Sequence, residues 1–275
     1  MKFYLKTKDH SVTQEEFTLN YNEDLDMLVT DPQPENLEVY YESDDYISHT
    51  DSKKTVVDKM YQTVKNYSLK KKIQILTKFT TGEKTLLDVG AGTGDFLITA
   101  KNNKWICDGV EPSISAREKA TQKGLELFRS LDTLPEKKYN VITLWHVLEH
   151  LPNLDQQIKT LESKLTDDGT LIVAVPNFNS YDAKHYKEFW AAYDVPRHLW
   201  HFSKTAIKKI FAKHNMKLIQ TQPMLFDAFY VALLSEKYKT GNQNMLTAFY
   251  RGLRSNISAM KTKEHSSIIY ILKKS

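Results

Sequence analysis

The chain is poor in the residues that mark several kinds of protein. Of 275 residues only Cys107 is a cysteine, so no internal disulfide can form and a reducing compartment is expected. Glycine and proline number only 9 and 8, which excludes collagen-like and low-complexity architectures. No run approaches the ~20 consecutive apolar residues of a membrane span. The opening residues Met1-Lys2-Phe3-Tyr4-Leu5-Lys6 turn charged too soon for a signal peptide. The expectation is a cytoplasmic protein, in which the Asn-X-Ser triplets at Asn66 and Asn256 are chance matches. Neither charge is in excess: 38 basic and 34 acidic residues leave +4, short of the concentrated basic surface of a nucleic-acid binder. Lys70-Lys71-Lys72 reads as a solvated helix face.

Against this scarcity, three of the nine glycines fall within five residues. Leu86-Leu87-Asp88-Val89 is an apolar run ending on a carboxylate, followed by Gly90-Ala91-Gly92-Thr93-Gly94 and then Asp95-Phe96-Leu97. Alternate glycines let the backbone turn sharply and approach a ligand without a Cβ in the way, and the helix start beyond offers unpaired N–H groups. A dinucleotide fingerprint would place its third glycine at 95, where this chain has Asp95. The spacing favours a nucleoside without a pyrophosphate, S-adenosylmethionine above all, and disfavours a nicotinamide oxidoreductase.

The surrounding pattern alternates. Strands are expected at Leu86–Val89, Trp105–Val110, Leu125–Phe128, Asn140–Leu144, Leu171–Val175, Met216–Gln222 and Ile268–Leu272. Helices are expected over 54–79, Asp95–Lys101, Ser115–Lys123 with Ser115 and Glu118 as a capping box, Leu154–Leu165 and Ser203–His214. Two more, Phe226–Tyr238 and Asn244–Ser258, interrupt the alternation before the last strand. Short apolar runs separated by helices predict an α/β, doubly wound, mostly parallel sheet. Residues 1–53 read as a polar, tyrosine-rich extension whose Asp31-Pro32-Gln33-Pro34 breaks regular structure. The core is expected at 54–225, a helical insertion at 226–262 and the last core strand at 263–275.

In such a sheet ligands sit at the carboxyl ends of the strands. Glu111 follows the second strand 23 residues after Asp88, near the ~20-residue offset at which an acid accepts ribose hydroxyls; the alternative is a surface glutamate at a strand end. Ser130 and Leu131, past the third strand, are candidates to flank an adenine ring.

These segments resemble class I S-adenosylmethionine-dependent methyltransferases over about residues 70–222. The carriers are Leu-Asp-Val-Gly-Ala-Gly-Thr-Gly at 87–94, Gly-Val-Glu-Pro-Ser at 109–113 and Tyr-Asn-Val-Ile-Thr-Leu-Trp-His-Val-Leu-Glu-His-Leu at 139–151. Within that superfamily the chain looks most like the branch of ubiquinone-biosynthesis O-methyltransferases, through Leu148-Glu149-His150 and the Pro-X-His-Leu of 196–199. The resemblance implies seven strands in the order 3-2-1-4-5-7-6, the last antiparallel. It implies a cofactor site lined by Asp88, Gly90, Gly92, Gly94, Glu111 and Trp145, and Ala91 and Pro112 beside them are further candidates. Two departures stand out: the helices before the last strand, where the family usually has a tight hairpin, and the first 50 residues.

The methyl acceptor is expected to be a small aromatic or apolar molecule methylated on oxygen, with nitrogen or carbon less favoured. A tRNA or protein methyltransferase and a noncatalytic S-adenosylmethionine-binding protein are the rivals. His146, just beyond the fourth strand, is the candidate general base, with packing of the strand–helix junction as its alternative. His150 reads as bracing the next helix or facing the acceptor. His146, Glu149 and His150 also spell the His-X-X-Glu-His of a zinc-protease helix, but inside a methyltransferase signature. No metal is expected: magnesium prefers oxygen ligands, and His146 stands where magnesium-using relatives of the ubiquinone branch carry a carboxylate. Eight of the 27 residues at 176–202 are aromatic, against 11% of the chain. Trp190, Tyr193, His198 and Trp200 are therefore candidates for an acceptor pocket, or else for anchoring a loop to the core. Tyr46 is a candidate to fold over the cofactor.

Overall fold

Strands such as Leu-Ile-Val-Ala-Val at 171–175 and Ile-Ile-Tyr-Ile-Leu at 268–272 carry no charge on either face. They are stable only where both faces are covered. The computed structural model describes residues 1–41, 56–80 and 82–275, and it buries both runs completely or nearly so. They belong to a six-stranded sheet built from β4 (Thr85–Val89), β5 (Ile106–Val110), β6 (Tyr139–Trp145), β7 (Leu165–Pro176), β9 (Met216–Pro223) and β10 (Ser267–Lys274). The order is β5-β4-β6-β7-β10-β9. Pairing is parallel from β5 through β7, and β10 runs antiparallel to both its neighbours.

Among the described residues the sheet has six strands where seven are expected. Leu125–Phe128 contributes a single bridge, Val110 to Phe128. Phe128 donates to Gly109 O and its carbonyl accepts from Glu111 N. The chain then tucks into a turn at Leu131–Thr133, where the Thr133 hydroxyl donates to Ser130 O, and pairing goes no further.

Helices cover both faces: α1 (Val56–Phe79), α2 (Asp95–Asn102), α3 (Ile114–Gln122), α4 (Leu154–Ser163) and α6 (Lys204–Ala212). The cap of α3 is Ser113 rather than Ser115: its hydroxyl accepts from Ala116 N at 3.3 Å. Ser203 caps α6 as expected, accepting from Ala206 N. The insertion is a hairpin of α7 (Asp227–Thr240) and α8 (Met245–Thr262).

The largest departure from expectation is at the N-terminus. Instead of irregular chain, β1 (Lys2–Lys8), β2 (Glu16–Asn22) and β3 (Met27–Asp31) form an antiparallel sheet, and β8 (Trp200–Phe202) completes it. Phe17, Leu19 and Leu28 from this sheet pack with Phe178, Tyr186, Trp190, Tyr193 and Val195 in a core of their own. The aromatic stretch after β7, which contains α5 (Tyr181–Tyr186), is therefore the other half of the N-terminal sheet's core.

Arg197 ties the two halves. It is 1% exposed, and its guanidinium donates to both oxygens of Asp194, to Asp9 Oδ1 at 3.0 Å, to the Ser11 hydroxyl and to the Tyr40 carbonyl. No helix among the described residues is long and apolar enough to cross a membrane.

Candidate active site

The glycine loop follows β4, and its three glycines have different reasons to be there. All have positive φ, a region that costs other residues steric strain. At Gly90 an added Cβ would run into Val147, and at Gly94, the residue before α2, into Leu125. Those two are demanded by packing. Around Gly92 an added Cβ would meet nothing within 4 Å, so this is where the backbone lies open to a ligand. Gly92 N donates to Glu111 Oε2 at 2.8 Å, and Glu111 Oε1 accepts from Ser113 N at 2.9 Å. Glu111 is thus fixed at the end of β5 with its remaining lone pairs beside the open loop. Pro112 follows it on the surface, its carbonyl and that of Glu111 held by Arg117. Ala91 N shares the Val110 carbonyl with Gly90 N.

Asp88 is buried and accepts from the Thr143 hydroxyl at 2.6 Å. Burial pushes its carboxyl up to about 7, against the opposing pull of that hydrogen bond and of Lys72. Lys72, from α1, is the residue that sequence reasoning set aside as solvated. Its Nζ sits 4.4 Å from the centre of the Trp145 ring and 5.4 Å from that of Phe96. Burial lowers it to about 8, while the charges of Asp88 and Asp227 work the other way. Trp145, at the end of β6, packs edge-on to Phe96. Its indole N–H is buried with no hydrogen-bond partner among the described residues. An orphaned donor, an open glycine, an acid and a cation therefore converge on one end of the sheet. Of the adenine-flanking candidates, Leu131 is buried in the main core and Ser130 is engaged in its local turn. Tyr46 lies outside the described residues.

His146 follows Trp145 in left-handed conformation, φ 57°, unusual for a residue with a Cβ. Its Nε2 lies 2.8 Å from Asp227 Oδ2 at the start of α7, and its Nδ1 3.4 Å from Glu149 Oε1. Burial alone would lower its pKa, but the two carboxylates outweigh that and hold it at about 10. Two carboxylates at these distances favour the doubly protonated ring over the neutral base expected from the sequence. Asp227 could not be anticipated from sequence, because it comes from the insertion, 81 positions away. The helix start at 226–227 was the one available signal.

The residues 146–150 do not form the zinc-protease helix. They run from the strand end into a short turn, Leu148–His150, and the two histidine rings go to different partners. His150 Nδ1 lies 3.0 Å from both the Arg197 carbonyl and the Tyr41 hydroxyl. His198 Nδ1 meets the Ala192 carbonyl at 3.0 Å. A carbonyl only accepts, so both Nδ1 atoms carry hydrogen. With the 1% exposed Glu149, these two rings form the one group of potential metal ligands found among the described residues, their ligand atoms within 4.8 Å of one another.

The aromatic candidates are not brought to this site as a wall. Trp190 and Tyr193 are buried in the second core, the Trp190 indole donating to Asp182 at 2.8 Å. Trp200 donates to Leu151 O at 2.8 Å. Trp190 and Tyr193 fill the apolar face of the N-terminal sheet, and Trp200 packs against the main core.

Solved structures with this fold include a cyclopropane synthase from Mycobacterium tuberculosis (TM-score 0.52, 13% identity, covering 74% of this chain and 83% of that one). Others are the magnesium protoporphyrin IX methyltransferase of Synechocystis with bound SAH (0.54, 15%, 82% and 90%) and a coclaurine N-methyltransferase bound to N-methylheliamine and SAH (0.53, 14%, 81% and 74%). No curated protein matches the sequence. Residues 61–221, more than half of the chain, match the family model of a methyltransferase domain. The chain therefore belongs to the S-adenosylmethionine-dependent methyltransferases.

Proposed function

We propose that this protein transfers the methyl group of S-adenosylmethionine to an oxygen of a small molecule, and that the acceptor oxygen is held as an anion by the His146 imidazolium. The single observation that carries the acceptor reading is the Asp227–His146–Glu149 group, which keeps a cation at the end of β6 next to Trp145.

In this reading Glu111 accepts the ribose hydroxyls, Gly92 gives the ligand room, Lys72 pairs with the ligand's carboxylate and Trp145 covers the reacting end. The sulfonium supplies a methyl group already activated for displacement. The remaining task is alignment, which can account for roughly 7–11 kcal/mol of barrier. An acceptor that enters ionised needs no base: its oxygen forms the bond to the methyl carbon, and the S–C electron pair stays on sulfur as a neutral thioether. Both ring nitrogens of His146 face carboxylates, Asp227 and Glu149, so the ring offers an oxyanion its charge rather than a hydrogen bond.

Glu111→Ala is expected to weaken cofactor binding at least ~10-fold, from lost charge-assisted bonds of about 1.5–3 kcal/mol each and from a Gly92 N–H left without its partner. Calorimetry with S-adenosylmethionine, with NAD as the control, measures it. An unchanged affinity would remove Glu111 from the site. Lys72→Met is expected to cost a similar factor in affinity while leaving the fold intact.

The acceptor class is tested by labelled-methyl transfer into cell extract divided into small-molecule, RNA and protein fractions. Incorporation into the small-molecule fraction is expected. Label confined to RNA or protein overturns the reading, and cofactor binding with no label in any fraction points to a noncatalytic binder.

A further inference from the structure

Helix α8 is built inside out. The face it turns to the protein carries Ala248, Gly252, Ser255 and Ala259, all buried. At Gly252 an added Cβ would come within 2.9 Å of Phe229 Cα, and the Ser255 hydroxyl donates to Asp182 Oδ1 at 2.6 Å. These contacts fix the rotation of the helix against α7 and α5. The large apolar residues are left outside: Met245, Leu246, Phe249, Tyr250, Leu253, Ile257 and Met260 are all exposed, Leu246 to 85% and Met260 to 69%. At 3.6 residues per turn they fall within an arc of about 140° along a helix about 27 Å long. Scattered apolar residues on a surface mean little, but a continuous stripe of this kind marks a site of interaction.

The charge of the element says with what. Arg251, Arg254 and Lys261 are its charged residues, with Lys263 following, and it contains no acid. Arg254 and Lys261 border the apolar arc. The hairpin's own acids are engaged elsewhere: Asp227 with His146 and Glu236 with the Tyr186 hydroxyl. Glu264, just beyond α8, pairs with Lys204. Two copies meeting through this face would set like charges against each other without an acid between them.

We propose that the outward face of α8 docks on the surface of an anionic lipid bilayer, with its apolar arc in the headgroup region and Arg254 and Lys261 at the phosphates. This is the arrangement of an amphipathic helix lying in the interface plane, and it requires no spanning segment. Because α7 opens at Asp227, the docked hairpin would stand next to the candidate active site. The docking itself does not depend on which acceptor is methylated.

The test uses the full chain without cofactor, floated with vesicles of phosphatidylcholine alone and of phosphatidylcholine mixed equally with phosphatidylglycerol. Partitioning is expected to be at least ~10-fold stronger onto the anionic vesicles and to weaken with added salt. L246E/L253E alters only exposed positions and is expected to reduce it at least ~10-fold, with S-adenosylhomocysteine affinity and thermal midpoint unchanged. R254Q/K261Q is expected to lose roughly fivefold for each cation removed. Equal binding to both vesicle types overturns the proposal, as does binding that survives L246E/L253E. A chain that ignores vesicles but is dimeric, and becomes monomeric on L246E/L253E, overturns it in favour of a seam between copies.

Discussion

Replacing Arg197 with methionine is expected to lower the unfolding free energy by about 3–5 kcal/mol, the usual cost of stranding a buried charge by removing its partner. The guanidinium is almost wholly buried and holds two carboxylates, Asp9 from the loop after β1 and Asp194 from the aromatic segment. Methionine fills much of the volume but satisfies neither carboxylate, nor the Ser11 hydroxyl and Tyr40 carbonyl that Arg197 also contacts. The loss should also depend on pH. Burial raises the Asp9 carboxyl, but the Thr13 backbone N–H, Arg197 and the Ser11 backbone N–H overcome it and hold it at about 2. A depressed carboxyl stabilises the fold fully above its unfolded value near 3.9. That contribution, about 2 kcal/mol, disappears as pH falls toward 2. Wild type and R197M should therefore differ most at neutral pH and converge in acid. Urea titrations at several pH values measure this; a difference below about 1 kcal/mol at pH 7 would mean that the N-terminal sheet does not rely on this charge cluster.

That sheet is also where the sequence was least legible. Phe17 and Leu19 alternate with polar residues in β2, the period of a half-buried strand, but the pattern is short and tyrosine and charge surround it. What makes it a sheet is a partner far along the chain: β8 at 200–202 and the rings between α5 and Val195. Tertiary packing of that kind leaves no local signature. The parallel core was legible because its central strands β4, β6 and β7 carry short, mostly apolar, fully buried runs, a local property. Leu125–Phe128 has the composition of a strand and fails to become one because the chain turns off at Ser130 after a single bridge.

The candidate site divides in the same way. The glycines, Asp88, Glu111 and Trp145 lie at strand ends whose sequence announces them. Lys72 looked like one of three solvated lysines, since nothing local distinguishes the one that lies over Trp145. His146 was legible as a position, but its carboxylate partner was not, because Asp227 arrives from the insertion.

Asp227→Asn should move the upper pH limit of methyl transfer down by roughly 1–2 units while leaving cofactor affinity nearly unchanged. A hydrogen bond to a charged group contributes about 1.5–3 kcal/mol, and one pKa unit corresponds to about 1.4 kcal/mol. In the wild type the carboxylates of Asp227 and Glu149 overcome burial and hold His146 at about 10, so a reaction that needs the imidazolium persists through neutral pH and falls as pH rises past that value. With asparagine at 227 the neighbour still reaches the ring but no longer carries charge. The fall should then begin within the range where wild type is flat, with the loss in kcat rather than in the KM for S-adenosylmethionine. Asp227→Glu, which restores the charge, should return the profile most of the way. A base would show the opposite sign: activity rising with pH as the ring gives up its proton, and a variant more active than wild type at neutral pH. A purely structural Asp227 would lower activity equally at every pH. Rate profiles of the three proteins from pH 6 to pH 10 separate these outcomes, and either of the last two would displace His146 from the role of an anion-holding cation.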